Sequence, residues 1–389
     1  MLIGVDATCW NNLRGYGRFT RSILGTLLVQ DQINRYLFFA DRQTIETLGT
    51  AFPSQAEVVP VDTKQAPAQA ASAQGRRSIL DLFQMTRQVS RHKLDVFFFP
   101  SVYTYFPLLN RSRQVLTIHD VIPEKFPKQV FPNPRLRRFW QMKMALAKRQ
   151  AHLVLTVSEH SKQGIIQELK IKPARLRVIG EGVDPVFQPL TSLEGANVVL
   201  NRYGLQLEEP FLLYVGGISP HKNLERLLEA FAKLRWNGKL ALVGDYQGDV
   251  FYSSYQPLSQ KVTELGLAGR VIFTGFVPDN DLVYLYNLAQ AVTLPSLDEG
   301  FGLPALEAAA CGVPVISSQE SSVREILGEA GTYFDAYQPE NIKEALQMVL
   351  DNPALRQGCR ESGLQRAQTF TWSRAAIQLR AVLEEAGRS

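Results

Sequence analysis

LPSLDEGFGLPALEAAACGVPVISS, residues 294–318, contains the order of elements that decides the fold. Its composition predicts a buried strand that ends at residue 294, a helix over 304–311 and a second strand over 315–317. Pro304 suits the first turn of a helix, because its nitrogen has no hydrogen that would need a partner there. Gly312 then ends the helix. Strand, helix and strand in this order are typical of a parallel α/β sheet.

The same alternation continues in both directions along the chain. Apolar strands are predicted over 2–6, 36–40, 58–61, 95–100, 115–120, 153–158, 177–179, 211–215, 240–243, 271–274, 291–294 and 315–317. Helices are predicted over 18–29, 78–91, 134–150, 159–169, 224–235, 257–265, 304–311, 322–327, 340–350, 353–368 and 372–386. Pro185, Pro189 and the polar run after them predict a domain boundary near residue 190. Two open α/β sheets are therefore expected, with ligands outside the carboxyl ends of their strands.

Composition excludes several classes of protein. The chain has 389 residues, of which 45% are hydrophobic and 20% charged, and this balance argues against general disorder. No apolar run approaches the roughly 20 residues that span a bilayer, and the N-terminus reads as a first strand rather than a signal peptide. Cys9, Cys311 and Cys359 are scattered, so neither a zinc site nor a disulfide framework is indicated. We expect a cytoplasmic protein that holds no metal.

Charge is distributed unevenly along the chain. Residues 1–190 contain 26 Lys and Arg against 14 Asp and Glu, whereas the remaining residues contain 16 against 23. A basic first half suggests an anionic partner: a membrane surface, a nucleic acid or a phosphorylated substrate. Residues 134–150 mix arginines with Phe139, Trp140 and methionines, which suits either an anionic membrane surface or ordinary packing with a solvated basic face. No nucleic-acid recognition motif is present.

Two strand-to-helix loops in the second half have residues suited to a phosphorylated sugar ligand. Glycines on both sides of Phe301 favour close approach of a ligand to the backbone, next to the N–H groups of a helix N-terminus. Glu299 and Glu307 suit hydrogen bonds from vicinal hydroxyls, although such carboxylates are also common on helix surfaces. In VGGISPHKN, residues 215–223, Lys222 lies at a second such turn, where its ammonium could neutralise a leaving diphosphate.

Two weaker signals lie in the first half. Gly15, Tyr16 and Gly17 precede a predicted helix and form a short glycine-rich anion loop without the full spacing of a dinucleotide fingerprint. His119 follows a predicted strand in TIHD, where it could be a polar contact, a proton donor or a structural residue.

Together these segments resemble the family 4 retaining glycosyltransferases. The resemblance is carried by eight motifs in the family's order: GYGRFTRSIL (15–24), TIHDVIPEKFP (117–127), TVSEHSK (156–162), EGVDPVF (181–187), VGGISPHKN (215–223), TGFVPDNDL (274–282), LPS (294–296) and EGFGLPALE (299–307). It implies the GT-B fold: an acceptor-side Rossmann-like domain over 1–190, a donor-binding one over 191–371, facing across a cleft, and a helix over 372–389 that packs on the first domain. It also implies metal-independent transfer with retention of the anomeric configuration.

The resemblance assigns roles to the candidate residues. By carry-over, Glu307 holds the ribose hydroxyls of the donor, Glu299 holds the sugar hydroxyls and Lys222 stabilises the diphosphate. His119 would contact the donor sugar. The other implied contacts with the donor come from Gly15, Tyr16, Gly17, Gly217, Phe276, Val277, Gly300, Phe301, Gly302 and Leu303, of which Gly15 to Gly17 would face the phosphates or the acceptor and Phe276 and Val277 the base.

Two positions depart from the family's pattern. Gly217 stands where many members have an arginine, so the diphosphate depends more on Lys222 or on another basic group such as Arg18. Glu181 stands where the family often has asparagine.

The expected activity is transfer of a hexose, of mannose or glucose type, from a GDP or UDP sugar to a glycan or lipid-linked hydroxyl. No separate cofactor is expected, and the enzyme would lie in the cytoplasm or on the inner face of the membrane. A nucleotide-sugar epimerase or a phosphorylase of the same architecture is the alternative enzyme class, and a two-lobed binding protein the non-enzymatic one. The Ala- and Gln-rich segment 64–77 is predicted to be a surface loop whose contact with the acceptor is open.

Overall fold

The computed structural model describes residues 1–12, 15–48, 52–64, 78–131, 133–245 and 254–388. Nearly all of the predicted loop over 64–77 lies outside these residues. The chain divides into two compact units, one formed by Met1–Gly182 with Thr371–Ser389 and the other by Val183–Phe370. Among the helices of the described ranges, none combines the length and the apolar character needed to cross a bilayer.

The first unit contains a seven-stranded parallel sheet in the order β3-β2-β1-β4-β5-β6-β7. Its strands are β1 (Leu2–Asp6), β2 (Arg35–Asp41), β3 (Glu57–Val61), β4 (Val96–Phe99), β5 (Arg113–Thr117), β6 (Ala151–Thr156) and β7 (Leu176–Val178). All seven predicted strands are confirmed, with ends that shift by up to three residues. The strand order reverses direction between β1 and β4, so the loops after these two strands diverge and leave room for a ligand.

Helices cover both faces of this sheet. They are α1 (Gly15–Gln30), α2 (Arg42–Leu48), α3 (Ile79–Ser90), α4 (Ile122–Lys125), α5 (Pro127–Val130), α6 (Pro134–Gln150), α7 (Glu159–Gly164) and the C-terminal helix Trp372–Arg388. Asn133 caps α6 by accepting the N–H groups of Arg135 and Leu136. The C-terminal helix buries an apolar stripe that includes Ala376, Leu379 and Leu383, and it packs alongside α1.

The second unit contains a six-stranded parallel sheet in the order β10-β9-β8-β11-β12-β13. Its strands are β8 (Phe211–Val215), β9 (Lys239–Val243), β10 (Val271–Gly275), β11 (Ala291–Leu294), β12 (Val315–Ser318) and β13 (Gly331–Phe334). Five of them are predicted from the sequence, and β13 is not. The order reverses between β8 and β11, which are the strands before the two most informative loops.

The helices of the second unit complete the doubly wound arrangement. They are α8 (Ala196–Arg202), α9 (Leu224–Ala232), α10 (Tyr255–Glu264), α11 (Asp279–Leu288), α12 (Leu303–Ala310), α13 (Val323–Leu327), α14 (Pro339–Asp351) and α15 (Pro353–Ala367). Leu227, Leu228 and Phe231 of α9 are fully buried, as their spacing of three and four residues predicts.

The boundary between the units lies eight residues before the predicted position of 190. The amide of Val183 already donates to the Phe370 carbonyl at 3.3 Å, and that of Leu190 donates to the Asn287 side chain at 2.9 Å. The segment 183–190 is thus held by residues of the second unit, and its prolines mark a loop inside that unit rather than its edge.

Candidate functional site

The loops after β8 and β11 form one structure at the carboxyl edge of the second sheet. The amide of Leu297 donates to the carbonyl of His221 at 2.9 Å, and the Asn223 side chain donates to the carbonyls of Pro295 and Ala336 at 3.0 and 2.7 Å. Asn223 itself has a left-handed backbone conformation with φ of 60°. These bonds fix the two loops to each other, so side chains from either loop keep a defined separation.

Lys222 and Glu299 meet in this pair of loops. Lys222 Nζ lies 2.7 Å from Glu299 Oε1, and Ser296 Oγ donates to the same oxygen at 2.6 Å. The two charged side chains are only 16% and 17% exposed, so water screens their attraction weakly. The sequence predicts separate contacts of these two groups with the donor, whereas the structure places them in one ion pair. Ser296 is a member of this cluster that sequence reasoning missed.

Gly302 ends the loop and begins α12 in a conformation that favours glycine. Its φ is +92°, and a Cβ at this position would lie 2.7 Å from Val323 Cγ2. The side chain of Phe301 is buried and packs edge-on against Phe370, with ring centroids 5.8 Å apart. The Phe301 ring therefore belongs to the core of the second unit.

Glu307 lies inside the second unit and has a specific partner. Glu307 is 4% exposed, and the hydroxyl of Tyr286, a fully buried residue on α11, donates to Glu307 Oε2 at 2.9 Å. Burial raises the pKa of the nearby Cys311 thiol to about 12, and the charge of Glu307 adds to this effect. Sequence reasoning missed Tyr286, because nothing in the sequence shows that a hydroxyl 21 residues away points at this carboxylate.

The remaining predicted residues of the second unit differ in exposure. The Gly217 carbonyl accepts the Tyr214 hydroxyl at 2.7 Å, which anchors the loop after β8. Phe276, after β10, is 53% exposed, whereas Val277 is buried and contributes to the core. Of these two, only Phe276 presents a side chain to a ligand.

In the first unit, the glycine loop is explained in part by local packing. A Cβ on Gly17 would lie 2.0 Å from the Asn12 carbonyl oxygen, so the chain itself requires glycine there. Gly15 is exposed at the start of α1, and the Tyr16 hydroxyl accepts the Asn12 side-chain amide at 2.7 Å. Leu13 and Arg14 lie outside the described residues.

His119 is held by two groups of the first unit. Its Nε2 lies 3.0 Å from the Pro100 carbonyl, and its Nδ1 lies 3.7 Å from Glu181 Oε1. Since a carbonyl only accepts, Nε2 carries a hydrogen, and Nδ1 faces the carboxylate. Glu181, whose role the sequence leaves open, is 5% exposed and helps to orient this ring.

An aromatic cluster close to these residues was not predicted. Tyr103 lies between Tyr16 and Trp140, with ring centroids 5.5 and 5.4 Å away, and the Trp140 indole donates to Glu124 Oε1 at 2.7 Å. Burial, with a smaller contribution from the charge of Asp120, raises the pKa of the Glu124 carboxyl to about 7, and the hydrogen bond from Trp140 opposes this shift. This carboxyl therefore changes charge near neutral pH.

Within the described ranges, no group of three or more His, Cys, Asp or Glu side chains is arranged to hold a metal ion.

Comparison with known proteins places both units in one group of enzymes. Residues 199–366 match the family model "Glycosyl transferases group 1", and residues 44–187 match "Glycosyltransferase Family 4". O-antigen chain mannosyltransferase B from Escherichia coli is 30% identical over 270 residues, which cover 69% of each chain. Serotype-specific mannosyltransferase WbdA, also from Escherichia coli, is 29% identical over 270 residues, but the match spans only 32% of that longer protein.

Solved structures share the fold over nearly the whole chain. Sucrose-phosphate synthase from Thermosynechococcus elongatus superposes with a TM-score of 0.75 at 20% identity, covering 99% of this chain and 98% of that one. Anabaena Alr3699/HepE, in complex with UDP-glucose, superposes with a TM-score of 0.74 at 19% identity, covering 99% of each chain.

Proposed function

The chain belongs to the family 4 glycosyltransferases with the GT-B fold, and we propose that it transfers a hexose from a nucleotide-diphosphate sugar to a hydroxyl of a glycan or lipid-linked acceptor. The proposal rests on one observation: the loops after β8 and β11 are hydrogen-bonded to each other and bring Lys222 and Glu299 together. The names of the curated relatives favour mannose as the sugar, and the UDP-glucose bound to Alr3699/HepE supports a nucleotide sugar as the donor.

The Lys222–Glu299 pair suits a ligand with both a diphosphate and sugar hydroxyls. Lys222 donates to the leaving diphosphate, and the Glu299 carboxylate accepts hydrogen bonds from hydroxyls of the sugar. When the donor is bound, Lys222 and Glu299 each interact with the donor. When the donor is absent, they form an ion pair with each other. Glu307 holds the ribose, and the backbone amides of residues 300–303 face the sugar and the diphosphate.

Transfer occurs with retention of configuration and without a metal ion. The bond between the anomeric carbon and the diphosphate oxygen breaks, and the acceptor oxygen bonds to the anomeric carbon from the same face. The acceptor proton passes to the departing diphosphate, so no enzyme carboxylate has to act as the base. The protein contributes positioning and the charge of Lys222, which neutralises the leaving group. No separate cofactor is needed.

A nucleotide screen tests the donor. Thermal unfolding is followed with GDP, UDP and their mannose and glucose derivatives, since a ligand that binds the folded state raises its apparent stability. We expect one nucleotide series to raise the unfolding temperature clearly more than the other. If no nucleotide stabilises the chain at millimolar concentration, the proposal fails.

The role of Lys222 is tested by turnover. With the donor so identified, Lys222→Ala is expected to lower kcat by roughly 10²- to 10³-fold, the usual cost of losing one preorganised electrostatic contact. Lys233→Ala is the matched control, because Lys233 also pairs with a glutamate in the second unit, Glu340 at 3.5 Å, but is 58% exposed. Equal turnover of the two variants would remove Lys222 from the mechanism. Product NMR then reports the anomeric configuration, and turnover in excess chelator tests metal independence.

The acceptor side of the proposal includes contact with an anionic membrane surface through α6, which has six basic and no acidic residues. Such contact would suit a lipid-linked acceptor at the inner face of the membrane.

A further inference from the structure

Large apolar side chains are exposed in a concentrated region of the first unit. Among the described residues, sixteen large apolar side chains are exposed, and seven of them lie on α3, on α6 or on the segment that connects β4 to β5. These seven are Ile79 (80% exposed), Leu80 (58%), Phe83 (57%), Leu109 (76%), Phe139 (46%), Met142 (69%) and Leu146 (40%). Such a concentration on about thirty residues is unusual for a surface that faces only water.

The two helices lie on the same face of the sheet. Met85 of α3 and Met144 of α6 belong to one buried cluster with the apolar side chains of that sheet face. The segment 105–110 joins the helices, because Thr86 donates to the Pro107 carbonyl at 2.8 Å and the Gln150 side chain donates to the Leu108 carbonyl at 3.1 Å. The exposed apolar side chains of α3 and α6 therefore point away from the same face of the sheet, and Leu109 lies between the two helices.

The exposed charges on these two helices have a single sign. α6 contains six Lys and Arg, and the sequence has no acidic residue between Glu124 and Glu159. The only acidic residue of α3, Asp81, is buried and accepts the backbone N–H of Lys64 at 2.9 Å. Exposed arginines accompany the apolar side chains on both helices: Arg87, Arg135, Arg138 and Arg149.

Interleaved arginines and large apolar side chains suit one kind of partner. An anionic bilayer offers phosphate and carboxylate groups for the arginines and, a few ångströms deeper, acyl chains for Phe83, Phe139 and Met142. A nucleic acid offers no comparable apolar layer. Both helices connect parallel strands, so their N-terminal ends lie at the carboxyl edge of the sheet, where His119 is found.

We propose that α3, α6 and Leu109 form a single docking face for an anionic lipid bilayer. The inference deepens the proposed contact of α6 by adding a second helix and a defined set of side chains. Both helices would lie at the interface with their apolar side chains in the headgroup and upper acyl region.

Co-sedimentation with lipid vesicles tests the docking face. The full chain is mixed with phosphatidylcholine vesicles that contain or lack about one third phosphatidylglycerol. We expect binding only to the anionic vesicles, with affinity that falls as salt increases. Arg135→Gln with Arg138→Gln should weaken binding roughly 25-fold, at about fivefold for each cation near the surface. Phe83→Ser and Phe139→Ser should each weaken it by about tenfold.

Matched controls come from the C-terminal helix of the same unit. Ile377→Ser removes an apolar side chain that is 55% exposed, and Arg374→Gln removes an exposed arginine, so neither should change vesicle binding. The proposal is overturned if the wild-type chain does not sediment with anionic vesicles. Unchanged binding of Phe83→Ser would also overturn it, because α3 would then not take part. Self-association that the same variants abolish, without vesicle binding, would instead identify a second copy of the chain as the partner.

The nucleotide screen separates this inference from the proposed function. All these variants should keep the wild-type stabilisation by the donor nucleotide in the absence of vesicles, since none lies in the second unit. Loss of nucleotide binding in the wild type would count against the glycosyl donor proposal, whereas loss of vesicle binding alone counts against the docking face.

Discussion

Replacement of Tyr286 by phenylalanine should weaken the preference of the enzyme for a ribose over a sugar without vicinal hydroxyls. The substitution deletes one oxygen atom and leaves the ring, which packs edge-on against Phe187 at 5.6 Å. What is lost is the hydrogen bond to Glu307 Oε2, in a region where Tyr286 is 0% and Glu307 4% exposed. The carboxylate would keep its charge but lose one of the groups that fix its direction.

The size of the effect follows from the charge and burial of this bond. A hydrogen bond to a charged group is worth about 1.5–3 kcal/mol. Part of that loss appears as reduced stability, and each kcal/mol lowers the unfolding temperature of a domain of this size by about 2–4 °C. If about half of it, roughly 0.75–1.5 kcal/mol, reaches the bound nucleotide, affinity falls roughly 4- to 12-fold, since 1.4 kcal/mol corresponds to a factor of ten.

Isothermal titration calorimetry with two ligands isolates the role of Glu307. The preferred nucleoside diphosphate and its 2′,3′-dideoxy form are titrated into the wild type and the variant. The quantity compared is the dissociation constant of the dideoxy form divided by that of the ribose form. A general loss of packing would weaken both ligands equally, whereas misdirection of Glu307 should weaken only the ribose form. We therefore expect this ratio to fall roughly 4- to 12-fold in Tyr286→Phe.

Tyr333→Phe is the control for this experiment. Tyr333, on β13, also donates its hydroxyl within the second unit, to the Gly328 carbonyl at 2.7 Å, and within the described part of the chain it has no hydrogen bond to a predicted site residue. It should keep the wild-type ratio. If Tyr286→Phe also keeps it, Tyr286 does not position Glu307, or Glu307 does not hold the ribose, and Glu307→Gln measured in the same way decides between the two.

Three further predictions concern stability. Gly302→Ala should cost about 1–3 kcal/mol in urea denaturation, because φ is +92° and the new methyl would press on Val323; an unchanged midpoint would contradict the backbone assignment. Leu227→Ala should cost about 2–5 kcal/mol, since this side chain is fully buried, and the full denaturation curve measures the loss. For Glu124, the pKa of about 7 in the folded state lies above the reference value of 4.5, so folding takes up a proton between pH 4.5 and 7. The free energy of unfolding should therefore fall as pH rises through this range, by up to roughly 3 kcal/mol. Glu124→Gln should abolish this pH dependence in thermal melts at pH 5 to 8, and a dependence that persists in the variant would come from another group.

Local patterns predict most of the fold. Twelve of the thirteen strands are predicted from the sequence, because most strands of a sheet covered on both faces are rich in apolar residues. Strand β13 was missed since GTYF is short, lies at the sheet edge and alternates in burial, and therefore has no continuous apolar run. The domain boundary was displaced because it depends on the bond between Val183 and Phe370, residues that are far apart in sequence.

Sequence patterns select candidate site residues but do not reveal their contacts. Position after a strand was enough to select Lys222, Glu299 and Glu307. Lys222 and Glu299 are 77 residues apart in the sequence, and Tyr286 and Glu307 are 21 residues apart. Spacing along the chain does not reveal either contact. Gly17, which the sequence selects for ligand approach, has a second reason to be glycine, since the Asn12 carbonyl leaves no room for a Cβ.

The return of the C-terminal helix to the first unit has a consequence for biosynthesis. Residues 183–370 are continuous, so the second unit can fold as soon as it has left the ribosome. The first unit, in contrast, lacks the helix that covers α1 until Trp372–Arg388 has been translated. The first unit, although it is translated first, therefore completes its core only after the second unit has been synthesised. A premature stop near residue 370 would leave the second unit intact and would destabilise the first.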